Sequence, residues 1–299
     1  MEFEVKGDKL KIDISLFRGD ISFEPSKGKK LCVEFPDLRK GALEAFIDVS
    51  YKEEEGLKVI EKKNGLPLSR QRESNMVLSL PDLPLEGRVI LEKGDCVIHD
   101  SLEWNGKIEV RLGNLTVKKM FTGELTAKVI KGDLFIEEIT GRLKAVTVNG
   151  DILVKGGRIT ALNCRTVAGD ISVTGDFVSQ EPMKAVSVSG DVLLHARHYE
   201  GGQEIQAVSV GGDAKIEGDV PQEKKKEVKT GPKFAGKKIF SLLKMFERFP
   251  FHGRNEGAQV EVEKKDDEEE MNVGTVLKML EEGRITAEQA EKLIKALKE

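Results

Sequence analysis

Apolar and polar residues alternate through the middle of the chain, and Gly-Asp or Gly-Asn interrupts the alternation at regular intervals. Five segments align with the dipeptide at the same place: LTAKVIKGDLFI, LKAVTVNGDILV, LNCRTVAGDISV, MKAVSVSGDVLL and IQAVSVGGDAKI. The marker glycines are 18 to 22 residues apart, at positions 94, 113, 132, 150, 169, 190 and 212. Period-2 alternation in Val, Ile, Leu and Thr predicts strands with side chains on two opposite faces.

The regular repeat predicts stacked coils. Gly123 and Gly141 fall near the midpoints between markers, which indicates two turns and two strands per coil. One unit cannot bury its apolar face alone, whereas coils stacked at about 4.8 Å form a continuous core. The predicted fold class is therefore all-β, a β-solenoid (single-stranded β-helix) with a strand-rich amino-terminal cap and a small carboxy-terminal helical hairpin.

Four regions follow from the change of pattern along the chain. Residues 1–90 alternate less regularly and are predicted to cap the solenoid, because terminal repeats are commonly atypical. The repeats occupy residues 91–220. Residues 221–270 are a charged linker that bears a basic amphipathic helix, and residues 271–299 form a two-helix hairpin.

The linker helix is rich in both phenylalanine and basic residues. Five of the 13 phenylalanines lie between positions 234 and 251, interleaved with Lys and Arg. Such a helix can dock on the open end of the solenoid, or it can contact an anionic membrane or a partner. The residues predicted to make the membrane or partner contact are Lys237, Lys238, Phe240, Leu243, Phe246 and Phe249.

The terminal hairpin is too short for a core of its own. Gly283 ends its first helix, and Thr286 is an N-cap with Gln289 three residues later. Self-association is the preferred prediction, with packing on the solenoid or binding of another protein as alternatives. The predicted oligomerisation residues are Leu277, Leu280, Ala290, Leu293, Ile294 and Leu297.

The second residue of each marker dipeptide is the most prominent candidate for chemistry. Stacking would align Asp95, Asp133, Asp151, Asp170, Asp191 and Asp213, about 5 Å apart and within reach of a shared Ca²⁺. The alternative is a turn-forming role, in which the side chain bonds the backbone two residues on. Asn114 stands in the same column, so a carboxylate is not required at every coil. The turn role is preferred, and no metal and no cofactor are predicted.

Histidine is the other candidate for catalysis. His99, His195 and His198, with Asp100 and Arg197, are the main local concentration of acids and bases, yet they lack the order of a catalytic triad. The chain is therefore predicted not to be an enzyme but a structural or interaction scaffold. A carbohydrate-binding or carbohydrate-acting β-helix is the alternative, and it requires an exposed row of aromatic residues. Trp104, Phe121, Phe135, Phe177 and Tyr199 do not share a coil position.

Composition excludes several classes of protein. Three scattered cysteines give neither a disulfide framework nor a zinc site, and the net charge of −4 over 299 residues does not favour nucleic-acid binding. No signal peptide or membrane span is evident in the sequence. The predicted location is the cytoplasm, with a membrane-peripheral position as an open alternative.

The repeat and the terminal hairpin together resemble known families. The Gly-Asp units at 94–216, with LKIDISLFRGDISFE near the amino terminus, resemble the putative-adhesin β-repeat family of bacterial and archaeal proteins. VLKMLEEGRITAEQAEKLIKAL resembles the short two-helix domain often attached to that family, which is similar to short carboxy-terminal oligomerisation domains. The resemblance implies a link to the cell envelope, since some relatives are linked to cell-envelope stress, and it implies no catalytic residues. Because no export signal is evident, the predicted position is the cytoplasmic side of the envelope.

Overall fold

The computed structural model describes residues 1–26, 28–38, 45–62 and 73–229, and in these residues the chain is built from β-strands. A 3-10 turn at Gln222–Lys224 precedes the last strand. In chain order the strands are β1 Glu2–Glu4, β2 Leu10–Leu16, β3 Ile21–Pro25, β4 Lys30–Glu34, β5 Ile47–Lys52, β6 Gly56–Glu61, β7 Met76–Leu80, β8 Leu85–Lys93, β9 Cys96–Leu112, β10 Leu115–Lys131, β11 Leu134–Asn149, β12 Ile152–Val154, β13 Arg158–Ala168, β14 Ile171–Ser179, β15 Met183–Ser189, β16 Val192–Gly201, β17 Ile205–Ser209, β18 Ala214–Gly218 and β19 Lys225–Lys229.

The strands stack in two long parallel ladders, which confirms the predicted β-solenoid. Ladder A contains the strand segments that follow the Gly-Asx turns: β7, β3, the first parts of β9, β10 and β11, then β12, β14, β16 and β18. Ladder B contains the segments that precede those turns: β6, β2, β8, the second parts of β9, β10 and β11, then β13, β15, β17 and β19.

The predicted second turn of each coil is only partly formed. Near Gly123, β10 stays one strand of 17 residues and bends where its register with β11 shifts, between Thr122 and Leu125. In the next coils the strand is interrupted, as between β12 and β13. A bulge of this kind bends a strand without ending its pairing. The coils of β9, β10 and β11 therefore consist of one bent strand each, and the later coils of two.

Large and small side chains divide the core between them. In ladder A, Leu134 and Ile136 point inward and are buried. In ladder B the first inward position is also large, as at Leu143. From β11 to β17 the next two are small, as at Ala145 and Thr147, whereas β9 has Ile108 and Val110 there. A small residue at these positions leaves room for the larger side chains that face it across the coil.

The cysteines behave as buried apolar residues in two of three cases. Cys96 and Cys164 lie in the core, and burial raises the pKa of each thiol to about 12. Cys32 is only half-buried. All three are free thiols.

The first coil of the chain lies inside the stack rather than at its end. Strand β2 pairs with β6 on one side and β8 on the other, and β3 likewise lies between β7 and β9. The link from Leu80 to Leu85 therefore crosses the layer formed by β2 and β3. Antiparallel strands complete this end, with β4 and β1 beyond β7 and β5 beyond β6. The described part of residues 1–90 contains strands β1 to β7 and the start of β8, and the spatial order of these strands does not follow the chain.

The other end of the ladder extends past the predicted limit of the repeats. Residues assigned to the linker form β19, which pairs in parallel with β17 from Lys225 to Lys229. Residues 1–229 form one compact unit. The predicted amphipathic helix and the predicted hairpin lie outside the described residues.

Candidate functional site in the Gly-Asx turns and the outer faces

The marker glycines hold turns that stack directly on one another. Gly150 has a φ of +148°, and a Cβ there would lie 2.0 Å from the carbonyl oxygen of Gly132 in the adjacent coil. Both the backbone conformation and the spacing exclude a side chain. The repeat of glycine is thus explained by close backbone contact between successive coils.

The Asx residues form a continuous ladder of hydrogen bonds from coil to coil. Except in Asp213, the last of the column, the Oδ1 atom of each one accepts a hydrogen bond from the backbone N–H of the Asx in the next coil, for example Asp170 N–H to Asp151 Oδ1 at 2.7 Å. The same bond, 2.7 to 2.9 Å long, joins Asn75, Asp20, Asp95, Asn114, Asp133, Asp151, Asp170, Asp191 and Asp213 in turn.

This ladder supports a turn-forming role for the Asx side chains, but their hydrogen-bond partner differs from the one predicted. The bond goes to the neighbouring coil and not to the backbone two residues on. Asn114 accepts the same bond as the carboxylates, which explains why it can replace Asp. Asn75 and Asp20 extend the column beyond the residues identified from the repeat. No group of three or more metal-binding side chains with suitable spacing occurs in the described part of the chain.

A buried row of hydroxyl groups runs beside the Asx ladder. Thr147, Ser187 and Ser209 are 0% exposed and donate to turn carbonyls, as from Ser187 Oγ to Gly169 O at 2.9 Å. Thr166 bonds Gly150 O at 3.2 Å. Sequence reasoning missed this row, although its signal was available, because each hydroxyl lies three residues before a marker glycine.

Three of the candidate catalytic residues, His99, Arg197 and His198, are exposed and His195 is half-buried, and they are spread over several coils. His195 lies 3.6 Å from Glu217 and His198 lies 3.7 Å from Asp219, with His198 62% exposed. His99 belongs to an earlier coil and, with Arg197, lines an open groove of about 750 Å³. The ion pairs Lys119–Glu138 and Arg197–Asp176 lie along that groove. This arrangement is that of solvated surface side chains and does not form a nucleophile–base pair.

The aromatic residues of the repeat do not form an exposed row among the residues described. Trp104 and Phe177 are fully buried, and Trp104 packs edge-on against Phe23 at 6.3 Å. Phe121 is 42% exposed, but it pairs in register with Thr140, whereas Phe135 pairs with Thr116. The feature required by the carbohydrate alternative is therefore missing from this part of the chain.

A buried charge cluster lies on the outer face of ladder B. Glu109 accepts from Lys107 at 2.7 Å and from Lys128 at 3.3 Å, and the side chains of Glu109 and Lys128 are each 6% exposed. Burial by itself would raise the pKa of Glu109, but the hydrogen bond from Lys107 and the charge of Lys128 lower it overall. Burial is also the main reason that the pKa of Lys128 is lowered.

A set of outward-pointing valines continues along the same face. Val186, for instance, points outward because its neighbours Ala185 and Ser187 point into the coil, yet it is 0% exposed. We define the valine face as the outward valines and isoleucine of ladder B from β10 to β19, among which Arg165 lies between Val146 and Val186. Its members are Ile130, Val146, Val148, Val167, Val186, Val188, Val208, Val210 and Val228. None of them belongs to the hydrophobic core cluster or packs against it.

The residues predicted for membrane, partner and oligomer contacts all lie beyond Lys229, outside the described residues. Among the described residues, no helix is long and apolar enough to cross a membrane.

Comparison with known proteins gives two family matches. The Toastrack DUF4097 family matches residues 8–239, and a SHOCT-like domain matches residues 276–299. No curated protein and no solved structure matches the chain. The two matches fall on the two regions from which the resemblance was inferred, the repeats and the terminal segment, while the adhesin designation stays a prediction.

Proposed function

Because the chain belongs to the Toastrack DUF4097 family, we propose that it is a non-enzymatic scaffold whose rigid solenoid carries interaction segments at its carboxy terminus. The observation that carries the proposal is the Asx ladder. The repeated carboxylates, which would be the natural ligands of a repetitive binding site, each accept a backbone hydrogen bond from the next coil. These hydrogen bonds stabilise the stack of coils, which explains why the carboxylates recur at a regular spacing.

The interaction segment that we propose is the terminal hairpin. Residues 276–299 match a SHOCT-like domain, and 24 residues are too few to bury a core alone. Its apolar positions, Leu277, Leu280, Ala290, Leu293, Ile294 and Leu297, then require a partner surface. Self-association supplies one without any further component, and it would make the scaffold multivalent.

Light scattering on the full chain tests this proposal. We expect a mass above that of the 33.1 kDa monomer, falling to the monomer mass when Leu293→Asp and Ile294→Asp are introduced together. Lys292→Asp is the matched control, because it changes charge at the adjacent position and leaves the apolar face intact. A monomer mass for the unmodified chain, or an unchanged mass for the double variant, would contradict self-association through the hairpin.

The proposed setting is the cytoplasmic face of the cell envelope. The support for it is the resemblance stated above together with the basic, phenylalanine-rich segment at 234–251. Sedimentation of the full chain with anionic vesicles distinguishes a membrane-bound scaffold from one that is free of the membrane.

A further inference from the structure

The carboxy-terminal end of the solenoid is formed by two edge strands. Among the strands described, β18 pairs with β16 alone and β19 pairs with β17 alone. An edge strand presents a row of unpaired N–H and C=O groups, which is a template for pairing with another chain. The residues at this edge therefore decide whether a further strand can be added.

The inward positions of β19 carry charges, unlike those of the coil before it. Strand β17 has uncharged residues there, each 0% exposed, namely Ile205, Ala207 and Ser209. The residues paired with them in β19 are Lys225, Glu227 and Lys229. Another coil stacked on β19 would bury these charges, which is unfavourable.

Lys229 occupies the end of the Asx ladder. In the preceding coil, Asp191 Oδ1 accepts the N–H of Asp213 at 2.7 Å. Asp213 is the last Asx of the described column, and its Oδ1 accepts instead from Lys229 Nζ at 2.8 Å. This hydrogen bond, and then the charge of Lys229, lowers the pKa of Asp213. The acceptor that a further coil would use is thus already occupied.

Glu227 occupies a donor on the edge of β18. In the preceding coil, Val192 pairs with Ala214 and donates its N–H forward to the carbonyl of Asp213 at 2.7 Å. The N–H groups of alternate residues lie on the same side of a strand, so the N–H of Ile216, two residues after Ala214, points to the open edge. It donates to Glu227 Oε1 at 2.6 Å.

The N–H of the last marker glycine is also bonded within its own coil. Gly150 and Gly169 donate theirs to a carbonyl of the next coil, at 2.9 and 3.0 Å. Gly212 donates to Ser209 Oγ at 2.8 Å. Three groups that elsewhere link one coil to the next are therefore bonded to side chains at this end.

We infer that β19 is a carboxy-terminal cap, which closes this end of the solenoid and prevents a second copy of the chain from pairing with it. A second copy would present the same end, because the outermost described strands at the other end, β1 and β5, are antiparallel to their neighbours and do not continue the ladders. Such a pair would be two-fold symmetric. The inference does not depend on self-association of the hairpin.

Amide exchange of Ile216 in the full chain tests the closure of the edge. Glu227→Ala removes the acceptor, so we expect the Ile216 amide to exchange about tenfold faster than in the unmodified protein. Glu227→Gln keeps an oxygen acceptor and should retain most of the protection. Lys226→Ala, at an outward position of the same strand, is the control and should leave the exchange unchanged. Equal exchange in the Ala variant and the unmodified protein would contradict the cap.

Light scattering tests whether the cap prevents pairing of two copies. The full chain carries Leu293→Asp and Ile294→Asp in this measurement, so that association through the hairpin does not contribute. Glu227→Ala and Lys229→Ser together give β19 the inward residues found in β17. We expect this change to double the mass.

The matched control combines Glu223→Ala with Lys226→Ala in the same background. It also removes one acidic and one basic residue from this end, but it leaves the inward positions of β19 intact, so the mass should stay that of the monomer. The inference is overturned if the cap variant stays monomeric, or if the control gains as much mass as the cap variant.

A single substitution covers the case in which the cap variant fails to fold. Glu227→Ala changes one exposed side chain and can be followed by both measurements. Faster exchange of Ile216 together with a mass above that of the monomer supports the cap. A monomer mass for this variant would overturn the inference.

Discussion

Glycine at the marker positions is required by its neighbours in the stack as much as by its own backbone conformation. Gly132 and Gly150 each face the carbonyl oxygen of the preceding marker glycine at about the same short spacing, 2.2 and 2.0 Å from an added Cβ. The marker glycines and their regular spacing are evident in the sequence, and they predict the turns. It could not show that the turns touch, because contact between coils depends on the stacking direction and not on local propensity.

Replacing one marker glycine should be costly. Gly150→Ala combines a positive φ of 148° with a clash against backbone that cannot move aside, so we expect a loss of at least about 2 kcal/mol in the free energy of unfolding. Thermal denaturation measures it. Gly202→Ala is the control, since an added Cβ meets nothing within 4 Å there. Equal stability of the two variants would disprove the close contact.

At the scale of the element, ladder B shows what periodicity can and cannot predict. Alternation in KAVTVNG establishes that Val146 and Val148 share one face and that Ala145 and Thr147 share the other. It does not say which face is inside, and size alone would place the valines inside. The structure has the reverse, with Ala145 and Thr147 buried in the coil. Which face points inward depends on how much space the large side chains of ladder A leave inside the coil, and the local sequence does not give that space.

The charge cluster on ladder B makes the stability of the protein depend on pH. Since the pKa of Glu109 is lowered from 4.5 in the folded protein, its contribution is present above that value and is lost as the pH falls through the folded pKa. Glu109→Gln should lose about 2 kcal/mol at neutral pH and should then show a smaller further loss on acidification.

Unfolding curves measured between pH 7 and pH 3 check this prediction. Glu103→Gln, which removes an exposed carboxylate from the same strand, serves as the control. If Glu109→Gln lost as much stability on acidification as the unmodified chain, the charge cluster would not be the source of the pH dependence.

At the scale of the whole molecule, the order of coils in space differs from their order in the chain. The repeat predicts sequential stacking, and this holds from β8 to β19. It fails at the amino terminus, where β2 and β3 lie between strands that come later in the chain. Gly19-Asp20 matches the marker dipeptide, but a local pattern identifies a coil without giving its layer. Long-range pairing of this kind is set by the complete stack.

The Asx ladder joins these layers into one structure, because it passes through the intercalated coil as well as the sequential ones. Asp20 accepts from Asp95 at 2.8 Å, and Asn75 in turn accepts from Asp20 at 2.8 Å. Lys229 closes the other end with a bond to Asp213 at 2.8 Å. The Asx residues, which the sequence alone would also allow as a ligand site, thus form a ladder of hydrogen bonds that stabilises the solenoid along its length.

Amide exchange at Asp170, measured in the full chain for Asp151→Asn and Asp151→Ala, tests this role most directly. Asp170 N–H donates to Asp151 Oδ1 at 2.7 Å, and Asn keeps that acceptor while Ala removes it. The Asn variant should keep both the protection of the Asp170 amide and its stability, and the Ala variant should lose that protection and about 1 kcal/mol. If the Asn variant behaved like the Ala variant, or if neither changed the exchange of Asp170, the column would not be the support described here.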